Sequence, residues 1–250
     1  MRIAQIFGRY VPPAVKGWAR YRRGLYKDFF PFGTAMNGQT ARLEATREII
    51  HKCQIKTIIE TGTYRGTTTE WFAGFDIPVI SIEVHSPSYE FAKRRLKRYK
   101  NVSVRLGNSV NVLRTILSQP EGAMPTFVYL DAHWENYLPL KEELEIICSN
   151  LISFVILIDD FKVPDDKGYA YDDYGSGKAL TEEYLDLCNV GPLQKFYPSV
   201  PSFEETGARR GWIVLTTSES ISKTLETIPL LKKVEAKNAP NESSRCQKRI

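Results

Sequence analysis

The 250-residue chain is poor in cysteine, histidine and methionine, shows no internal repeat and has no long hydrophobic run. Its four cysteines, Cys53, Cys148, Cys188 and Cys246, are scattered and form no C-x-x-C pair. A structural zinc site therefore has no support, and the expected state is reduced thiols in an intracellular protein. The longest strongly apolar stretch, residues 151–158, falls far short of the roughly 18–20 residues a membrane-spanning helix needs. The N-terminus is basic but lacks the apolar segment of a secretory signal, so the expected location is cytoplasmic. With 42% hydrophobic and 25% charged residues, the chain is neither disordered nor collagen-like and can bury a sizeable core.

The net charge of +5 is unevenly spread. Residues 1–30 hold seven Lys/Arg against Asp28, and residues 232–250 hold six against Glu235 and Glu242, so the body between them is acidic. An acidic body disfavours a broad nucleic-acid groove, whose cations should line the domain itself. The head, 1–36, mixes its arginines with Phe7, Tyr10, Trp18, Tyr21, Tyr26, Phe29, Phe30 and Phe32. It reads either as an arm packed through its aromatics or as a peripheral contact with anionic lipid or a protein partner. The expected organisation is a basic arm over 1–36, an α/β domain over 37–231 and a basic tail over 232–250.

From Thr40 the hydrophobic period alternates between helix and strand. A helix is expected through Cys53, then a strand over 57–60, a helix over 67–75, a strand over 78–84 and a helix opening at Ser86-Pro87. A strand over 102–106, a helix over 110–117, a strand over 126–130, a helix over 140–148 and a strand over 154–158 follow. A Gly/Tyr/Asp-rich loop, a helix from 179 to about 188 and two closely spaced strands, 193–197 and 212–216, complete the pattern. Repeated strand–helix alternation with buried-type strands predicts a doubly wound α/β fold: a mainly parallel seven-stranded sheet with an antiparallel last strand.

In such sheets ligands bind beyond the carboxyl ends of the strands, so the residues that follow each strand matter most. The first strand runs into Glu60-Thr61-Gly62-Thr63-Tyr64-Arg65-Gly66, where glycines permit a tight turn and close backbone approach to a ligand. The loop is not G-x-G-x-x-G, which disfavours a dinucleotide. The second strand ends at Glu83, placed to accept hydrogen bonds from ribose hydroxyls. The third is followed by Gly107-Asn108-Ser109, small polar residues suited to an adenine edge. The fourth and fifth end in Asp131 and in Asp159-Asp160. Three carboxylates on neighbouring strand ends repel unless a divalent cation lies among them, and oxygen ligands favour Mg²⁺, Mn²⁺ or Ca²⁺.

These motifs, with Ser81-Ile82-Glu83, Leu130-Asp131-Ala132-His133-Trp134 and Tyr137-Leu138-Pro139, resemble the class I S-adenosylmethionine-dependent methyltransferases. The resemblance is closest to the metal-dependent O-methyltransferases of the catechol and macrocin type and covers roughly residues 40–216. It implies a Rossmann-like methyltransferase fold and an O-methyltransferase acting on a hydroxyl of a small molecule or sugar. It places S-adenosylmethionine on Glu60, Gly62, Tyr64, Gly66, Glu83, Asn108, Ser109 and Asp131, and Mg²⁺ or Mn²⁺ on Asp131, Asp159 and Asp160. The catechol-type enzymes carry a general-base lysine where this chain has Trp134. His133 or Glu135 would then replace it, with His133 and Asp131 the catalytic pair, although His133 is equally readable as an adenine contact or as packing. Tyr169, Tyr171 and Tyr174 are candidates to close over an acceptor, and Phe196, Tyr197 and Phe203 to line its far side. A hydroxylase-like relative, an RNA methyltransferase and a non-catalytic binding protein on the same scaffold are the competing readings.

Overall fold

The structure is a computed structural model that describes residues 11–22, 33–118, 124–133 and 137–234. Eight strands form one sheet: β1 (Thr57–Thr61), β2 (Val79–Glu83), β3 (Val102–Leu106), β4 (Thr126–Leu130), β5 (Phe154–Asp159), β6 (Gln194–Pro198), β7 (Trp212–Thr216) and β8 (Leu231–Val234). Their spatial order is β3-β2-β1-β4-β5-β7-β6-β8. The first five strands are parallel, and β7, β6 and β8 join through antiparallel pairs. The expected doubly wound α/β fold is present, with one strand more than expected. The boundary expected at 231 falls inside β8, because Lys232 and Lys233 begin the basic composition of the tail. Strand β8 pairs along β6 and buries Leu231.

The helices are α1 (Pro13–Arg22), α2 (Thr40–Lys52), α3 (Thr67–Ala73), α4 (Ser86–Arg95), α5 (Ser109–Leu117), α6 (Leu140–Asn150), α7 (Glu182–Leu185) and α8 (Glu219–Leu225). The helix expected over 179–188 contracts to the single turn of α7, and α8 was not expected. The central strands are apolar on both faces, as a sheet covered on both sides requires. On β5, Phe154, Ile156 and Ile158 face one core with α5 and α6, while Val155 and Leu157 face the other with α2 and α8. On β4, Val128 and Leu130 join the first core, and Phe127 and Tyr129 the second.

Strands β1 and β4 are neighbours, yet the chain leaves β1 toward β2 and leaves β4 toward β5. This is the topological switch point, where a crevice opens beyond the carboxyl ends of the strands. Gly62 closes its floor: its φ is +90°, and a Cβ there would lie 2.0 Å from the Asp131 carbonyl oxygen. Only glycine lets the two strand ends approach so closely.

Candidate functional site

Around the switch point the strand ends deliver their side chains unequally. Glu83 sits at the end of β2, its carboxylate accepting from the Tyr64 N–H (2.6 Å) and the His85 N–H (2.7 Å). Burial raises its pKa and these backbone donors oppose the rise. Val84, Leu106, Tyr64 and Tyr137 follow or end β2, β3, β1 and β4 and are all exposed, giving the crevice an apolar rim. Asn108 caps α5 by accepting from the Asn111 N–H and bonds to the Tyr137 hydroxyl, linking the third and fourth strand ends. Gly66 caps α3 with φ +75°.

Two expected cofactor contacts point inward instead. Glu60 is buried, accepting from the Thr69 and Ser81 hydroxyls, and burial pushes its carboxyl up to about 7. It braces the loop from below and presents no surface to the crevice. Ser109 is buried as well, its hydroxyl without a hydrogen-bond partner and close to the buried Glu143.

The acids after β4 and β5 form a different set from the expected one. Alternation along β5 sends Ile158 to one face and Asp159 to the other, where α2 lies. There Asp159, 1% exposed, pairs with the fully buried Arg42, accepts from the Tyr129 hydroxyl and from Asn37, and also accepts from the Asp160 N–H. The expectation that Asp159 holds a cation is therefore corrected: its oxygens are committed to the core. Asp160 is left-handed (φ 54°), which ends the strand and turns its side chain toward the crevice.

There, one ligand atom each from Asp131, His133 and Asp160 lies within 4.8 Å of the others. His133 Nε2 is 3.5 Å from Asp160 Oδ2 and 3.9 Å from both Asp131 Oδ1 and Asp172 Oδ2, yet it is buried and makes no hydrogen bond of good geometry. Burial acts to lower the His133 pKa, but the surrounding carboxylates outweigh it and the net direction is upward. Asp131 keeps 35% of its side chain exposed. Partial desolvation raises its pKa, and so does repulsion from Asp159 and Asp160, the cause that survives that exposure best. Burial works against ionisation of Asp160, but His133 and Arg210 together hold its carboxyl down at about 2.

Arg210 and Asp172 belong to this site and were not anticipated. Arg210 bridges Asp160 Oδ1 and Asp172 Oδ1, leaving Asp160 Oδ2 to face His133. Asp172 is carried by the Gly/Tyr/Asp-rich loop, whose Tyr174 donates to Asp172 and lies edge-on to His133 at 6.3 Å. The available signal for Arg210 is its position two residues before the strand expected over 212–216, and nothing local distinguishes it from Arg209.

Of the aromatic candidates, Tyr174 is the one beside the acids. Tyr169 is buried and donates to the Val200 carbonyl, Tyr171 lies under Lys162, and Phe203 is exposed. Phe196 and Tyr197 are corrected: both are buried, Phe196 in the sheet core and Tyr197 donating to Glu182, because β6 lies inside the sheet between β7 and β8. Trp134 and Glu135 lie outside the described residues.

No family model matches the chain, and no curated protein matches it. Solved structures do. The O-methyltransferase TomG from Streptomyces achromogenes, in complex with SAM, is 19% identical over 82% of this chain and 89% of its own, with a TM-score of 0.50. An O-methyltransferase from Bacillus cereus, in complex with SAH, is 17% identical over 82% of this chain and 92% of its own (TM-score 0.53). The SAH-bound methyltransferase PaMTH1 of Podospora anserina is 18% identical over 87% of this chain and 94% of its own (TM-score 0.53). At such identities the likeness is one of architecture, and by strand order, switch point and overall superposition the chain has the Rossmann-like fold of the class I S-adenosylmethionine-dependent methyltransferases.

Proposed function

We propose that the protein is an S-adenosylmethionine-dependent O-methyltransferase that acts on a hydroxyl of a small molecule or sugar, with a divalent cation held by Asp131, His133 and Asp160. The observation that carries this reading is the convergence of those three side chains beside the switch-point crevice. The buried, unpartnered His133 Nε2 facing carboxylate oxygens fits a small cation. An imidazole in the set shifts the preference from Mg²⁺ toward Mn²⁺ or another transition metal, because nitrogen is a softer ligand than carboxylate oxygen. The crevice fits the cofactor: Gly62 lets the ends of β1 and β4 meet at its floor, Glu83 accepts hydrogen bonds, and Val84, Leu106 and Tyr137 offer apolar contact.

When bound, the cofactor supplies a methyl group on a sulfonium and the cation supplies a Lewis acid that makes a hydroxyl more acidic. The chain's own part is to align and to move a proton. Glu83 accepts from the ribose hydroxyls, and Asn108 with Tyr137 closes the adenine end. Asp131, part exposed, would hold the cation through one carboxylate oxygen and accept the acceptor's hydroxyl proton at the other. Arg210 fixes Asp160 and Asp172 in place, and Tyr174 covers His133 from the loop side. Rate comes mainly from this alignment and from the fixed charges. One observation favours a second reading without metal: His133 Nε2 has no hydrogen-bond partner and faces three carboxylates that would stabilise its protonated form once it has taken a proton as general base.

Calorimetry separates the readings. S-adenosylhomocysteine should bind with or without Mn²⁺, and Mn²⁺ should bind to the wild type but not to Asp160→Asn, which keeps its cofactor affinity. Absence of cofactor binding would leave a non-catalytic binding protein. Cofactor binding without any Mn²⁺ binding would leave the His133 reading.

A further inference from the structure

Helix α1 lies across α4 at a point where only glycine fits. Gly17 is buried, and a Cβ there would come within 2.8 Å of Glu90 Cβ and 2.9 Å of the Pro87 carbonyl oxygen. One turn on, Tyr21 packs edge-on against Phe91 with ring centroids 5.7 Å apart. With Gly17 and Tyr21 inward, Val15, Trp18, Arg20 and Arg22 are exposed and Lys16 and Ala19 half-buried.

A helix packed on a domain normally turns charge outward. In α1 the outward side carries cations together with two exposed apolar side chains, Val15 at 47% and Trp18 at 50%. Arg22 stands over the Trp18 ring at 6.0 Å, Lys16 and Arg20 flank these two side chains, and the helix contains no acid. Its flanking sequence repeats the bias, with four further cations to one acid over the rest of residues 1–30, against an acidic body.

We propose that this face of α1 docks the protein on an anionic lipid bilayer. Trp18 and Val15 enter the headgroup boundary, and Lys16, Arg20 and Arg22 meet the lipid phosphates. Tryptophan favours that boundary because its ring is apolar and its N–H is polar, and flanking cations add attraction to anionic headgroups. The charge complementarity alone would also suit RNA. The exposed Val15 beside Trp18 decides for lipid, because an aliphatic side chain gains nothing from a phosphate backbone but loses water contact in the headgroup layer. The contact is peripheral: among the described residues no helix is long and apolar enough to cross a membrane.

The test is cosedimentation of the full chain with vesicles of phosphatidylcholine alone or mixed with phosphatidylglycerol. Binding is expected to the mixed vesicles, with release by high salt. Removing two cations in Arg20→Gln/Arg22→Gln should weaken it roughly thirtyfold, about fivefold for each charge near an anionic surface. Trp18→Ala should weaken it about tenfold, and Trp18→Phe should restore most of the affinity. All four changes lie on exposed positions, and unchanged circular dichroism confirms that the fold persists. Equal binding to both vesicle types, variants that bind like the wild type, or binding to single-stranded RNA without binding to vesicles would each overturn the proposal.

Discussion

Glu143 is a fully buried acid beneath the crevice, and its environment sets a pH dependence. Burial pushes its carboxyl up to about 7, and the nearby Thr61 and Ser109 hydroxyls offset part of the rise without making hydrogen bonds of good geometry. The folded protein then holds this proton to higher pH than the unfolded chain, so its contribution favours folding below about 4.5 and is lost as pH rises toward about 7. Glu60 behaves in the same way over the same window. Glu143→Gln should therefore remove about half of the fall in stability across that window. At neutral to alkaline pH it should be more stable than the wild type by up to about 3 kcal/mol. Urea unfolding across that pH range reads the effect, and identical slopes for the two proteins would refute it. At the same scale, Asp159 shows what residue type alone leaves open. Its neighbour Asp160 has the same chemistry in sequence, and one position along a strand sends one acid into the core and the other to the crevice. A strict count of period two along Phe154–Asp159 carries that information, but the end of the strand at Asp160 depends on its left-handed backbone.

The elements that position the site are tied together by contacts very distant in sequence. Glu205 accepts from the Ala41 and Arg42 N–H groups at the start of α2, capping a helix that its own first turn leaves uncapped. The Gln39 side chain pairs with both backbone groups of Arg210, and the Ala208 N–H donates to the Asn37 carbonyl. The segment before α2 and the segment before β7 thus form one unit that holds Arg42 on Asp159 and Arg210 on Asp160. Replacing Glu205 with Ala strips that cap and should lower stability by about 1–2 kcal/mol, the usual range for losing a helix N-cap. Chemical denaturation measures the loss, and a midpoint equal to that of the wild type would show that water caps α2 equally well. The strands and long helices of the parallel half were legible because their apolar periods are strong. The capping was not, since nothing near Thr40 in sequence announces an acid supplied from residue 205.

Across the whole molecule, the boundaries drawn from composition miss the folded unit by a few residues at each end. Met36 is 1% exposed and its carbonyl accepts from Arg42, so a domain beginning at 37 loses part of its core. A domain ending at 231 cuts β8, leaving β6 as an open edge. A chain spanning 33–234 should unfold cooperatively with stability close to its parent's apart from the packing of α1, whereas one spanning 37–231 should be weaker by about 2–5 kcal/mol from the lost Met36 side chain alone. Thermal melts of the two decide this, and equal melting temperatures would contradict it. The sequence by itself determined the α/β class, the order of the first five strands and helices, and the crevice loop with Gly62 and Glu83, because these follow from local periodicity and from residues that end strands. The tertiary structure alone decided which acids converge, that His133 joins them, that Arg210 and Asp172 complete the cluster, and that an eighth strand closes the sheet. Those depend on where distant segments meet, and a strand's pattern specifies which face a side chain takes but not what waits on that face.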